Sequence, residues 1–221
     1  MYLRGNSSSS RLVRLLSEAA SVDIDASRQD VAEKLGYWLS TLDTLKLHAA
    51  HQSIKAFAQE TPANARAAKN HPLEEEFHRV RTAMVQAITE NGAAKSIEAG
   101  AGYAPYRQRY LAQQRDIESK IASLRSHVRQ VLSRASSPLK QLAYLDSVMD
   151  QVIGAREQRL MSTVPVLLEK RFEQLRQAEQ EGWQETFSQA WREVLLAEMN
   201  VRLQPVVGLV EAFSNEVKKS P

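Results

Sequence analysis

Residues 105–135 read PYRQRYLAQQRDIESKIASLRSHVRQVLSRA. Tyr106, Tyr110, Gln113, Ile117, Ile121, Leu124, Val128 and Val131 recur along this stretch at a mean spacing of about 3.6 residues, the pitch of an α-helix. A strand would alternate its apolar side chains with a period of two. Pro105 suits a first helical turn, because the N–H it lacks has no partner there anyway. Ser136-Ser137-Pro138 breaks the pattern and opens another, since the residue before a proline avoids helical geometry. One long helix over 105–135 is therefore expected, with an apolar edge turned inward, and its length predicts an elongated fold.

The same periodicity holds on both sides of it. Ser10 is placed to cap a short helix carrying Leu12, Val13, Leu15 and Leu16. Ser27-Arg28-Gln29-Asp30 resembles a capping box. It predicts a helix running to about residue 60, with the stripe Val31, Leu35, Trp38, Leu39, Leu42, Leu45, Ala49 and Phe57. Pro72 and three glutamates open the next helix, favoured by the positive end of its dipole. Its buried face is Leu73, Phe77, Val80, Met84, Ala87 and Ile88, and Asn91-Gly92 stops it. After Pro138 the stripe is Leu139, Leu142, Leu145, Val148, Met149, Val152, Ile153 and Leu160. Pro165 kinks or divides that helix, and Val164, Leu167, Leu168, Phe172 and Leu175 continue its apolar face. Trp183, Phe187 and Trp191 mark a last long helix, expected to end at Pro205 ahead of a short terminal one over 206–217. No stretch alternates with period two. The expected fold is all-α: an elongated bundle of about six or seven mostly antiparallel helices with no sheet. Residues 10–217 are read as one domain, with tails at 1–9 and 218–221 and possible seams at 61–72 and 92–104.

Composition removes several classes of function. The chain has 221 residues, 43% hydrophobic and 25% charged, which is ordinary for a folded protein and argues against global disorder. It has no cysteine, so disulfides, thiol catalysis and thiolate-held metals are out. The net charge of +3 implies no nucleic acid by itself. The longest apolar run is Val164 to Leu168, far short of the roughly 20 residues a membrane span needs. MYLRGNSSSS lacks the apolar core of an export signal, so a cytoplasmic protein with no membrane insertion is expected.

Chemistry-bearing motifs are weak. His48 and His51 share a helical face, but two imidazoles without carboxylates make a poor metal site. Glu75-Glu76-Phe77-His78 has the Glu-x-x-His spacing of carboxylate-bridged di-iron bundles, yet no second copy exists. Gly100-Ala101-Gly102 is half a dinucleotide fingerprint with no strand before it. No phosphate-cradling loop, zinc-protease motif or nucleophile elbow is present. The reading is a non-enzyme with no catalytic, cofactor-binding or metal residues, no cofactor and no evident small-molecule ligand.

The basic helix is the strongest lead. Over 105–134 seven cations face two anions. Arg107, Arg115, Arg125 and Arg129 share one outer face with Glu118 when the sequence is wound at helical pitch. These four arginines are the candidate docking face for an acidic partner helix or a second subunit, in an adaptor or scaffold that works through protein–protein contacts. The alternative is sequence-independent nucleic-acid binding by the same face, tracking phosphates. The plainer outcome is a solvated face paired with acidic helices of the same chain; residues 150–200 carry nine anions against six cations. Tyr106, Tyr110, Trp183, Phe187 and Trp191 are expected to close the core rather than to stack on a ligand.

Three segments carry a resemblance: Ala104-Pro105-Tyr106-Arg107-Gln108-Arg109-Tyr110-Leu111-Ala112-Gln113-Gln114-Arg115, Leu175-Arg176-Gln177-Ala178-Glu179, and Arg202-Leu203-Gln204-Pro205-Val206-Val207-Gly208-Leu209. They resemble an uncharacterised family of proteobacterial all-helical proteins, a domain of unknown function with no functional residues to carry over. The resemblance implies a bacterial, cytoplasmic helical protein. It also implies a place in an envelope-linked assembly, because members are encoded near channel proteins of the flagellar-stator kind and near OmpA-like proteins.

Overall fold

The computed structural model describes residues 11–20, 39–57, 72–90, 102–178 and 181–219. They form seven helices: α1 (Arg11–Ala20), α2 (Thr41–Phe57), α3 (Leu73–Glu90), α4 (Ala104–Ala135), α5 (Ser137–Met161), α6 (Val164–Gln177) and α7 (Trp183–Lys219). No strand occurs among the described residues, so the fold is all-α. The Ser10 cap, the box at Ser27–Asp30, the stripe residues Val31, Leu35 and Trp38, the seam segments 61–71 and 92–101 and the 1–9 tail lie outside the described residues.

Contacts cluster the chain into two compact units. The first, here the aromatic unit, holds α1, α3 from Val85, α4 up to Arg115, and Met161–Val201. The second, the ion-paired unit, holds α2, α3 up to Met84, Asp116–Leu160, and α7 from Arg202.

In the aromatic unit α1 packs on α6, and rings from three helices interlock. Phe172 of α6 meets Tyr103 and Tyr106, at the start of α4, with centroids 5.6 and 5.5 Å away. It meets Trp183 and Phe187 of α7 at 5.2 and 5.1 Å in edge-on geometry, which the ring quadrupoles favour. Contacts between α4 and α7 advance together along both helices: Tyr106 with Phe187, Tyr110 with Trp191, and Gln114 with Glu198. The two helices therefore run parallel here, against the mostly antiparallel expectation.

In the ion-paired unit α4 and α5 form an antiparallel hairpin around Ser136. Its carbonyl accepts the Lys140 N–H at 2.9 Å, and its hydroxyl sits 3.4 Å from the Leu139 N–H. α5 is used on two opposite sides. Leu139, Ala143, Asp146 and Asp150 lie on the side that meets α4, whereas Val148 and Val152 pack with Ala50 of α2 and the half-buried Leu39, Leu47, Tyr144 and Ile153. Leu145 and Leu160 of the expected stripe are exposed.

Prolines mark two helix starts, and a third lies within a helix. Pro72 lies just outside α3, where its carbonyl accepts the Glu76 N–H at 3.0 Å. Pro165 divides rather than kinks: α5 ends at Met161, Ser162 and Thr163 turn, and α6 begins at Val164. Pro205, expected to end a helix, lies inside α7. An interior proline costs about 3 kcal/mol. Buried Leu203, Val206, Leu209, Val210 and Phe213 on both sides of it offset that cost. Gly182, at φ +80°, makes the left-handed turn into α7 that a side chain would resist.

α2 also departs from expectation. Leu39 and Ser40 are not helical, and a capping box at Ser40–Asp43 starts the helix. The Asp43 carboxylate accepts the Ser40 N–H at 2.9 Å, and the Ser40 hydroxyl accepts the Asp43 N–H at 3.2 Å. Leu42 and Leu45 are 70% and 61% exposed, and the face turned to α5 is Asp43, Leu47 and Ala50 instead.

Candidate functional site

The four arginines of the basic helix meet two different fates. Arg107 and Arg115 lie in the aromatic unit and are exposed. Arg115 bonds only back to its own helix, Nε to the Leu111 carbonyl at 3.1 Å. No carboxylate pairs with either among the described residues.

Arg125 and Arg129 belong to the ion-paired unit and are not free to dock. Arg125 donates Nε and Nη2 to Asp146 at 2.9 and 2.6 Å, and Nη1 to Asp150 at 2.7 Å. Arg129 donates Nε to Asp146 at 2.6 Å and Nη2 to Asp150 at 2.9 Å. Two guanidiniums four residues apart on α4 thus meet two carboxylates four residues apart on α5. Only 10% of the Asp146 side chain is exposed. Burial opposes the charge on Arg125, but the hydrogen bonds and charge of Asp146, with Asp150 and Glu157, outweigh it and raise its ionisation above the ordinary guanidinium value. The intramolecular pairing weighed for this face is what the structure shows at these two positions, and its main acceptor, Asp146, precedes the 150–200 segment considered.

Beside this network a cleft of about 360 Å³ opens in the same unit. Ile121, Ala122, Gly154 and Ala155 form its apolar part; Glu118, Arg125, Asp150, Glu157 and Arg202 its charged part. Gln158 donates to Glu118. Arg202 Nη1 stands 4.0 Å from Glu157 Oε1, beyond hydrogen-bond length. Burial pushes the Glu157 carboxyl above its ordinary range; Arg202 and Arg125 oppose the shift, while Asp150 and Glu118 add to it.

The family model described as a protein of unknown function (DUF3348) matches residues 2–215. The chain belongs to the DUF3348 family. No curated protein and no solved structure matches it.

This DUF3348 chain also holds a buried polar cluster that reading for motifs misses. Glu198 is 1% exposed in the aromatic unit. It accepts the Tyr110 hydroxyl at 2.8 Å and Gln114 Nε2 at 2.9 Å, and Gln114 Nε2 also donates to the Met161 carbonyl at 3.1 Å. Gln114, not Gln113, is the buried glutamine of α4. Nearby, the Tyr103 hydroxyl donates to the Pro165 carbonyl at 2.5 Å. Burial, with the Glu169 charge, pushes that phenol above its ordinary range, against the pull of Arg107. The sequence signal for Glu198 was its place among Val194, Leu195, Ala197 and Met199, all buried. Among the described residues no group of three or more carboxylates and imidazoles is placed to hold a metal ion. No helix there is long and apolar enough to cross a membrane.

Proposed function

We propose that this DUF3348 protein is a non-enzymatic helical adaptor or scaffold of the bacterial cytoplasm, acting through protein–protein contacts. Arg107 and Arg115 would dock an acidic partner helix or subunit. One observation supports this: both guanidiniums face solvent with no carboxylate partner among the described residues. Arginine is suited to such a surface, because its planar fork meets carboxylates in pairs and holds its hydration weakly. The envelope-linked setting rests on the family resemblance alone.

The docking face is therefore narrower than the sequence suggested, two arginines rather than four. The same narrowing weakens the nucleic-acid reading, since the charges of Arg125 and Arg129 are already matched by Asp146 and Asp150 and would release few counterions.

The test is affinity purification from the native bacterium with wild type and with the Arg107→Glu/Arg115→Glu double variant. Loss of a reproducible partner, at an unchanged melting temperature, supports the reading. Full retention of every partner by the variant removes it.

A further inference from the structure

We propose that the cleft in the ion-paired unit binds a small organic cation of the diamine or polyamine class, its ammonium taken by Glu157 beside Glu118 and its methylene chain lying over Ile121, Ala122, Gly154 and Ala155. The inference is independent of docking at Arg107 and Arg115.

The charges lining the cleft do not cancel evenly. Arg125 spends its donors on Asp146 and Asp150, and the second oxygen of Asp150 takes Arg129. Glu118 receives one bond, from Gln158. Glu157 is left over: its side chain is 34% exposed, and its nearest cation, Arg202, stands off at 4.0 Å. The Arg202 side chain is only 9% exposed and has other partners, so it is held in the wall instead of reaching across. A carboxylate half-withdrawn from water with no hydrogen-bond donor is costly. The raised Glu157 carboxyl is the electrostatic sign of that cost. An ammonium brings three donors and a positive charge to the place where Asp150 and Glu118 repel the charge of Glu157.

The rest of the lining selects among cations. Ile121, Ala122, Gly154 and Ala155 make one part of it apolar, which suits a methylene stem and not a hydrated metal ion. No metal-holding group of three is present among the described residues. A volume of about 360 Å³ lies within the usual range for small-molecule pockets. An anion is disfavoured because the donors of Arg125 are already engaged.

Gly154 gives a clean way to close the cleft. A Cβ built there would meet only Asp150 Oδ1, at 3.7 Å, an ordinary contact. The backbone therefore admits a side chain at this position, and a leucine is the variant that would occupy the cleft.

The experiment titrates spermidine into wild type, Glu157→Gln and Gly154→Leu by calorimetry. Magnesium chloride at matched ionic strength is the control, and circular dichroism checks the fold of each variant. Expected are saturable binding to wild type, affinity lower by about tenfold or more in Glu157→Gln, and no binding to Gly154→Leu. Should Gly154→Leu not fold, Ala122→Leu blocks the same space from α4. The proposal is overturned by no saturable binding to wild type, by equal affinity in wild type and Glu157→Gln, or by magnesium displacing spermidine at equal concentration.

Discussion

The aromatic unit and the ion-paired unit hold their helices together by different chemistry. In the first, Tyr103 just before α4, Tyr106 of α4 and Trp183 and Phe187 of α7 pack their four rings around Phe172 of α6, and the ion pairs Arg11–Glu193, Arg176–Glu173 and Arg192–Glu185 are peripheral. In the second, the α4–α5 hairpin is registered by a four-membered guanidinium–carboxylate network, with Arg156–Asp43 tying α2 to α5 and His127–Glu76 tying α3 to α4. Rings contribute buried area that tolerates small shifts. Paired charges contribute little net stability, but they penalise a wrong register, because a slipped helix strands a half-buried charge.

The contrast breaks first at Phe172. It is fully buried, and Phe172→Ala is expected to cost about 3–5 kcal/mol, read from urea unfolding. A loss under about 1 kcal/mol would mean the ring cluster is not what closes this unit. In the other unit, Asp146→Ala takes from Arg125 and Arg129 the more buried of their two shared acceptors. About 2–3 kcal/mol is expected, below the figure for a fully buried pair because Asp150 remains and is partly solvated. A double-mutant cycle of Asp146→Ala with Arg129→Ala should show coupling of about 1 kcal/mol or more; additive effects would dissolve the network into independent surface pairs.

Glu198→Gln tests whether the aromatic unit depends on the one carboxylate buried among its described residues. The new amide turns a donor toward the Gln114 amide or the Tyr110 hydroxyl, and about 1–3 kcal/mol should be lost. Arg107→Glu with Arg115→Glu should stay within about 0.5 kcal/mol of wild type in thermal unfolding, since neither residue is held by a carboxylate.

The smallest effect is a pH dependence of opposite sign at two carboxyls of the ion-paired unit. The Glu157 carboxyl titrates above its ordinary 4.5. The stability it lends is complete below that value and is lost as pH rises through the folded value. Glu157→Gln should therefore flatten the decline in melting temperature above about pH 4.5. The Ser40 N–H, and then the Ser40 hydroxyl, hold the Asp43 carboxyl below its ordinary 3.8. Its contribution is present above that value and fades as pH falls through the lower one. Ser40→Ala removes the hydroxyl bond and keeps the N–H bond, so it should reduce this acid-side loss without abolishing it, measured as α2 helicity by circular dichroism.

Much of the fold was legible because helical periodicity is local. Leu73, Phe77, Met84 and Ile88 on α3, and Tyr106 to Val131 on α4 apart from Gln113, are buried where the spacing put them. Legibility failed where two helical faces compete. On α2 the leucines at 42 and 45 look like the inner stripe, but Asp43 is drawn to Arg156, and this turns Leu47 and Ala50 inward. At Pro205 a local rule for ending helices was overridden by apolar residues before and after it. At the candidate face, wheel geometry grouped four arginines along α4, yet a wheel has no knowledge of the neighbouring helix, and Arg125 and Arg129 are paired with α5. The matching four-residue spacing of Arg125 and Arg129 with Asp146 and Asp150 was the available signal.

The order of residues by itself determined that the described backbone winds into helices and which edge of α4 is apolar, since both follow from side chains within a few turns of each other. Tertiary structure alone decided that α4 and α7 run parallel in the aromatic unit, that two of four arginines are spent within the chain, and that Glu157 faces a cleft with Arg202 at 4.0 Å and no hydrogen-bond donor among the described residues. Those outcomes depend on which helices come to lie side by side. Charges far apart in the chain acquire partners, or fail to, only once that arrangement is made.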